Sequence, residues 1–194
     1  RVFMFKDNLY DIGKTGLESW FQDNIPFELE AYGLESSEWD NPIFGIGFHS
    51  MYDERYDRII LTKRDLKPTQ EFINLFEATS GSSITWDSNS QQFIITTSVS
   101  NVNGDVITSA SPANFNNETL FEKTGWTVSY DVELNVWVSF HDYIPYKYTR
   151  AEDKLVSFDY NSTDIWMHND ETNRGKFYGV VYPFEFEFIY NLSK

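Results

Sequence analysis

The chain has 194 residues, no cysteine, and a formal net charge of −15 from 30 acidic and 15 basic side chains. The lack of cysteine excludes disulfide frameworks, thiolate nucleophiles and cysteine-ligated zinc. The negative charge opposes nonspecific binding to nucleic acid, which needs clustered lysine and arginine to neutralise phosphates, and we expect no sequence-specific nucleic-acid binding. Aromatic residues make up 18% of the chain, and this abundance favours strands, so we predict an all-β chain with minor short helices.

A chain of this length can bury a core of its own. No apolar run approaches the length that crosses a bilayer and no signal peptide is recognised, so no membrane insertion is expected. The absence of cysteine fits synthesis in a reducing cytoplasm. Because the chain begins with Arg1 and not with methionine, we interpret it as a fragment of a longer polypeptide.

Residues 1–42 are predicted to form N-terminal strands and a short helix at the start of the β domain. Residues 2–10 read as a strand, a turn and a strand. Apolar residues at helical spacing from Leu17 predict a short helix that ends near Asp23. The alternation of apolar and polar residues over 27–32 predicts a further strand.

Residues 43–194 are predicted to form a repeated β-hairpin region. An aromatic residue is followed by aspartate, then by five residues, and then by a large apolar residue that begins the return strand. Fixed spacing within variable intervals is typical of a repeated supersecondary unit, which favours β-propeller blades or a related sheet stack. The alternative is that any β-rich domain has several aromatic strands ending in aspartate turns. The repeats are Tyr52-Asp53 to Ile59, Trp86-Asp87 to Phe93, Tyr130-Asp131 to Trp137, and Phe158-Asp159 to Ile165.

The only basic cluster and a second predicted helix lie between the first two repeats. The cluster, Arg55–Lys67, is interrupted by two aspartates, so we interpret it as a strand and its exit turn with solvated charges and not as a nucleic-acid patch. Over residues 68–79, Phe72, Leu75 and Phe76 fall on one helical face after a proline. This spacing predicts two or three turns of helix.

Residues 101–123 form the strongest break in composition, because they are rich in Asn, Ser and Thr. Asn103-Gly104 could form a tight hairpin turn. The remainder, residues 109–119, is predicted to be an exposed, mobile loop. Loops of this length are usually functional or mobile, so this segment is the best candidate for a contact arm or a protease-sensitive site.

The histidines and carboxylates suggest no catalytic constellation. The three histidines lack the spacing of a metal-binding helix, and no pair of acids stands out for glycoside hydrolysis. We therefore expect no enzyme activity and no cofactor. The histidines are His49, His141 and His168.

One segment carries alternate oxygen ligands like the start of a calcium loop. Asp159, Asn161 and Asp164 supply these oxygens, but the central glycine and the downstream glutamate of such a loop are absent. The residues are candidate metal ligands, and the prediction is that no metal binds. Asp159 has a simpler interpretation as the turn residue of the fourth repeat.

Three segments, in this order, resemble the tail stabilisation, or muzzle, proteins of crAss-like bacteriophages. The first is YDERYDRIILTKRD, which begins at Tyr52. The second is WTVSYDVELNVWVSFHDYIP, which begins at Trp126. The third is IWMHND with the downstream GKFYGVVYP, between Ile165 and Pro183. These segments are structural signatures and not catalytic ones.

The resemblance implies a structural component of a phage tail, made in the bacterial host cytoplasm and located in the virion. Such a protein forms part of an oligomeric conduit through which DNA is ejected, and its partners are copies of itself and other tail and portal proteins. Related tail nozzles are built on β-propellers. An acidic wall fits this role, because it repels phosphates within a Debye length of about 8–10 Å.

Two other function classes stay open. One is a carbohydrate-binding or receptor-contacting β module, since exposed Trp and Tyr side chains stack on sugars. The other is a hydrolase that uses an acidic pair. Loss of glycan binding on substitution of one Trp, or loss of turnover on an Asp-to-Asn change, would identify them.

Overall fold

The structure is a computed structural model in which the chain is mostly β, with antiparallel strands in several sheets and short helices. It forms two compact units, Arg1–Ile144 and Pro145–Lys194. The predicted boundary between residues 42 and 43 lies outside the described residues. Those described are 1–34, 45–77, 81–100, 102–159, 164–168, 172 and 175–183.

The first unit holds its described strands in three antiparallel sheets. The strands are β1 (Phe3–Phe5), β2 (Leu9–Asp11), β3 (Gly47–Asp53), β4 (Arg58–Pro68), β5 (Ser83–Asp87), β6 (Gln92–Ser100), β7 (Val106–Pro112), β8 (Phe121–Asp131) and β9 (Val136–His141). β1 and β2 pair alone, as the sequence predicts. The other sheets have the strand orders β3-β4-β8-β9 and β5-β6-β7. The second of these is therefore inserted, in the chain, between two neighbouring strands of the first.

Each of the four repeats forms an antiparallel hairpin in which the aromatic residue is the partner of the expected apolar residue. The first and third hairpins share the four-stranded sheet, the second belongs to β5-β6-β7, and the fourth belongs to the second unit. In the described chain the repeated element is thus a hairpin and not a whole sheet. The pairs are Tyr52 with Ile59, Trp86 with Phe93, Tyr130 with Trp137, and Phe158 with Ile165.

Both predicted helices are confirmed, as α1 (Glu18–Asn24) and α2 (Gln70–Glu77). No helix in the part of the chain that the structure describes is long and apolar enough to cross a membrane. α2 begins after Pro68, which ends β4, and it buries Phe72 and Phe76 in the main core of the unit, whereas Leu75 is exposed. This core contains Phe27, Leu29, Leu34, Ile46, Leu66, Phe72, Phe76, Ile84, Phe93, Phe115 and Phe121.

The strand predicted over residues 27–32 is wrong. The chain forms a 3-10 helix over Glu28–Tyr32. The Glu30 carboxylate accepts a hydrogen bond from the Phe27 N–H at 2.9 Å, and Gly33 ends the helix with φ +95°. A side-chain bond at one end and a left-handed glycine at the other favour a helical turn over an extended segment.

The loop predicted within residues 101–123 is partly strand, since β7 and the start of β8 lie inside it. The turn at Asn103-Gly104 is confirmed, with φ +85° at Gly104. Phe115, between β7 and β8, is buried, with its ring centroid 4.9 Å from that of Phe93. The sparse apolar residues therefore anchor this segment to the core.

The second unit contains a three-stranded antiparallel sheet of order β10-β11-β12, formed by β10 (Lys147–Ala151), β11 (Lys154–Phe158) and β12 (Ile165–Met167). The tight turn between β10 and β11 has Glu152 at φ +56°, and no sequence pattern predicted it. A short pair, β13 (Lys176–Phe177) and β14 (Val180–Val181), follows.

We predict that Gly125→Ala strongly destabilises the first unit. Gly125 is the partner of Arg64 in the β4–β8 pair, with φ +148°, and an added Cβ would lie 2.2 Å from the Lys63 carbonyl oxygen. The clash and the unfavourable φ should cost at least about 3 kcal/mol of the free energy of unfolding, measured by urea denaturation.

The matched control for this change is Gly104→Ala. Gly104 also has positive φ, at +85°, but an added Cβ meets nothing within 4 Å. Its cost should be limited to the backbone conformation, about 1 kcal/mol. Equal losses in the two variants would contradict a close approach of β4 and β8.

Candidate functional site

Two of the repeat aspartates bond within their own turns. The Asp87 carboxylate accepts hydrogen bonds from the Ser90 hydroxyl at 2.7 Å and the Asn89 N–H at 3.0 Å. These bonds, that of Ser90 first, hold the pKa of Asp87 below its usual value. The Asp131 carboxylate accepts a bond from the Leu134 N–H at 2.8 Å. In these hairpins the aspartate carboxylate stabilises the turn by accepting hydrogen bonds from groups within that turn.

The first hairpin uses its aspartate differently. Asp53 is buried, and its carboxylate accepts a hydrogen bond from the Arg58 Nε–H at 3.0 Å. The Arg58 guanidinium lies 5.0 Å from the centroid of the Tyr56 ring. At the same tip the Tyr52 hydroxyl donates to the Asp57 carboxylate, and this bond, with the nearby negative charges, raises the pKa of Tyr52. The tip is an ion-paired turn.

The candidate calcium ligands are only partly within the described chain. Asp159 follows β11 and Asp164 precedes β12, whereas Asn161 lies outside the described residues. Among the described residues, no group of three or more histidines and carboxylates is placed to hold a metal ion. The calcium loop therefore gains no support from the described geometry.

Two of the histidines lie in a polar row that crosses the four-stranded sheet. His49, Thr62, Thr127 and His141 are successive cross-strand partners on β3, β4, β8 and β9. The Thr127 hydroxyl donates to the Tyr143 carbonyl at 2.6 Å, so the Thr62 hydroxyl, 2.9 Å away, donates to Thr127. Both threonines are buried. The two central threonines of the row are therefore joined by internal hydrogen bonds.

The histidines of this row do not converge. They lie on the two outer strands, three strand spacings apart, which is roughly 14 Å. The His141 ring bonds the Ser129 hydroxyl at 3.0 Å. His168 belongs to the second unit. The strand order therefore keeps His49 and His141 too far apart to bind the same ligand.

A buried ion pair lies on the opposite face of β4. The Lys63 ammonium donates to the Asp65 carboxylate at 2.7 Å and to the Pro26 carbonyl at 2.6 Å, and it lies 4.8 Å from the centroid of the Phe27 ring. Both charged side chains, like that of Arg64, are almost fully buried. The interpretation of Arg55–Lys67 as a strand with solvated charges is therefore wrong for its central residues.

We predict that Lys63→Met destabilises the protein by about 3–5 kcal/mol at pH 8, because it leaves the Asp65 carboxylate buried without its cation. Burial already raises the pKa of Asp65, against the lowering effect of Lys63. When folding raises the pKa of a carboxyl, the stability that this group contributes is present below its unfolded-state pKa. That contribution is lost as pH rises through its folded-state pKa. The loss should therefore shrink at pH 5.5, as measured by urea denaturation at both pH values.

Two variants control this experiment. Lys14→Met removes an exposed pair with Asp11, at 3.9 Å, and should change stability by less than about 1 kcal/mol. Lys63→Met with Asp65→Asn replaces the buried charge by a neutral amide and should recover much of the loss. If the double variant is no more stable than Lys63→Met alone, the buried charge is not the cause.

The second unit contains a buried serine–histidine–tyrosine cluster. Ser157 Oγ lies 2.6 Å from His168 Nε2 and also bonds the Tyr178 hydroxyl. A serine beside a histidine nitrogen is the geometry of an activated nucleophile, but Ser157 is fully buried and His168 is 4% exposed. Burial raises the pKa of Tyr178 to about 12. The cluster joins β11 to the residues after β12, and solvent does not reach the serine oxygen.

The tryptophans bear on the carbohydrate-binding alternative, and three of the described ones pack between α1 and the four-stranded sheet. Every tryptophan in the described part of the chain is half-buried. Trp20 and Phe21 of α1 contact Trp126, Trp137 and Phe140 with ring centroids 4.9–5.9 Å apart. The indole N–H groups of Trp126 and Trp137 donate to backbone carbonyls of the N-terminal segment at 3.0 and 2.9 Å. These rings pack α1 on the sheet and do not form a sugar-stacking platform.

The β6–β7 hairpin presents an exposed apolar strand edge. We name its outer part, residues 98–108, the arm. All seven residues of β7 are exposed, and β7 is an outer strand of its sheet. Val99 is the partner of Ile107 near the end of the arm, and both side chains are exposed. The contact arm predicted from the sequence, residues 109–119, overlaps the end of β7 but lies beyond the arm, and Phe115 within it is buried.

Comparisons with protein-family models, curated proteins and solved structures found no match to this chain.

Proposed function

We propose that the chain is a structural component of a phage tail, a muzzle-type protein that forms part of an oligomeric conduit for DNA. The observation that carries the proposal is where the resembling segments lie. The segment from Tyr52 covers the end of β3 and most of β4, and the segment from Trp126 covers the second half of β8 and all of β9. Together they contribute to all four strands of this sheet. The residues that resemble tail proteins are therefore framework residues, as a structural role requires.

The described polar clusters support a structural role as well. Thr62 bonds Thr127 within the polar row, Lys63 bonds Asp65, and Ser157 bonds His168 within the second unit. Buried polar groups of this kind favour one arrangement of the strands, because an unpaired group in the interior is costly. A subunit that forms the wall of a conduit requires sheets with a fixed strand arrangement, and it does not require a ligand-binding cavity.

The net charge of −15 also agrees with a conduit. DNA phosphates are repelled by an acidic surface, and repulsion prevents the wall from holding the DNA as it passes. The β-propeller arrangement of related nozzles is part of this proposal for the complete assembly. The carbohydrate-binding alternative would use exposed aromatic side chains such as Tyr52 and Tyr56 at the first hairpin tip.

We predict that the purified chain forms ring-shaped oligomers at micromolar concentration, visible by negative-stain electron microscopy. These ring-shaped oligomers should neither bind a glycan array nor retard DNA in gels. Their surface is acidic, and the tryptophans in the described part of the chain are half-buried. Tyr56→Ala is the matched variant for the alternative. The tail proposal would be overturned if no ring-shaped particles form and if the chain binds a glycan through a site that Tyr56→Ala abolishes.

A further inference from the structure

We propose that the arm docks on a neighbouring copy of this chain, with β7 adding as a strand to an open sheet edge of that copy. This inference rests on the proposed oligomeric function and names the surface that forms the contact. The unpaired N–H and C=O groups of an outer strand are a template for pairing with another chain. β7 offers seven residues of such an edge.

The side chains of the arm fit a protein contact better than they fit solvent. Val99, Val102, Val106 and Ile107 are all exposed. Val106 and Ile107 are adjacent in the strand and therefore point to opposite faces of it. The ribbon thus presents apolar groups on both faces, and a neighbour that pairs with its edge can cover both.

The charge distribution favours a copy of the same chain as the partner. Between residues 88 and 117 the sequence has one charged residue, Asp105, whereas the whole chain carries a net charge of −15. Two acidic copies repel each other except where they meet through uncharged surface. A basic partner would instead be recognised by acidic side chains, and the arm offers only one.

The geometry of natural edge strands points the same way. Outer strands that remain in solvent are usually protected by lysine, proline, bulges or short length. β7 pairs with β6 without a register shift, and Pro112 stands at its end, away from the arm. A ring requires contacts between two different patches of neighbouring copies, so the edge that receives β7 is a different strand of the next subunit.

The test compares the full chain with Val106→Lys/Ile107→Lys by sedimentation velocity and electron microscopy. The two side chains are 64% and 59% exposed, so the variant should keep its circular dichroism spectrum and its urea midpoint. We expect association to weaken at least about tenfold, because lysines on the edge oppose strand addition. Lysine also lowers the net negative charge, so weaker association cannot come from added repulsion between copies.

Leu75→Lys/Leu134→Lys is the matched control, since it makes the same kind of change at two exposed apolar positions outside the arm. It should assemble like the unchanged chain. Rings that persist in the arm variant would overturn the docking inference and leave the proposed function standing. A chain that is monomeric without any substitution would instead overturn the proposed function and, with it, this contact.

Discussion

The pairing of β4 with β8 is the constraint on which the first unit depends. It runs without a register shift from Arg58–Asp131 to Pro68–Phe121, and both of its faces are covered. On one face the Lys63–Asp65 pair and the Trp126 ring pack against the N-terminal segment. On the other face the polar row joins Thr62 to Thr127. A strand pair buried on both faces holds its register strongly, because a slip of one residue would exchange the two sets.

Two of the polar networks described above are matched to a specific strand register. The hydroxyls of the polar row meet only because Thr62 and Thr127 are partners. Ser157 reaches His168 because β11 pairs with β12 and the chain that leaves β12 stays beside β11, where the His168 N–H donates to the Leu155 carbonyl. Polar groups in these positions select one strand alignment among several that would bury similar apolar area. This selectivity is what a subunit repeated around a ring would need.

The hairpins could be predicted from sequence because each depends on residues close together in the chain. An aromatic residue, a turn aspartate and a return residue lie within eight positions, so one local pattern describes the pairing. The left-handed residues Asp57 and Asn135, at φ +46° and +56°, belong to types that accept this conformation readily. Both α-helices were predictable for the same reason, from local apolar spacing.

The remaining features depend on contacts that no local pattern contains. The 3-10 helix over Glu28–Tyr32 depends on a side-chain bond by Glu30, although its apolar alternation resembles that of a strand. β7 lacks an alternating pattern because both of its faces are exposed. The charges of Lys63 and Asp65 suggested the surface, but they neutralise each other inside the unit. The polar row joins strands from distant parts of the sequence.

The insertion of β5-β6-β7 between β4 and β8 has a consequence for how the chain reaches this structure. The β3–β4 and β8–β9 hairpins are local and can form within microseconds, whereas their docking must wait until the intervening sheet allows the two ends to meet. Until then the inner edges of β4 and β8 are open and attractive to other nascent chains. Slow synthesis, low temperature or a chaperone that separates newly made copies should therefore favour efficient folding of the protein.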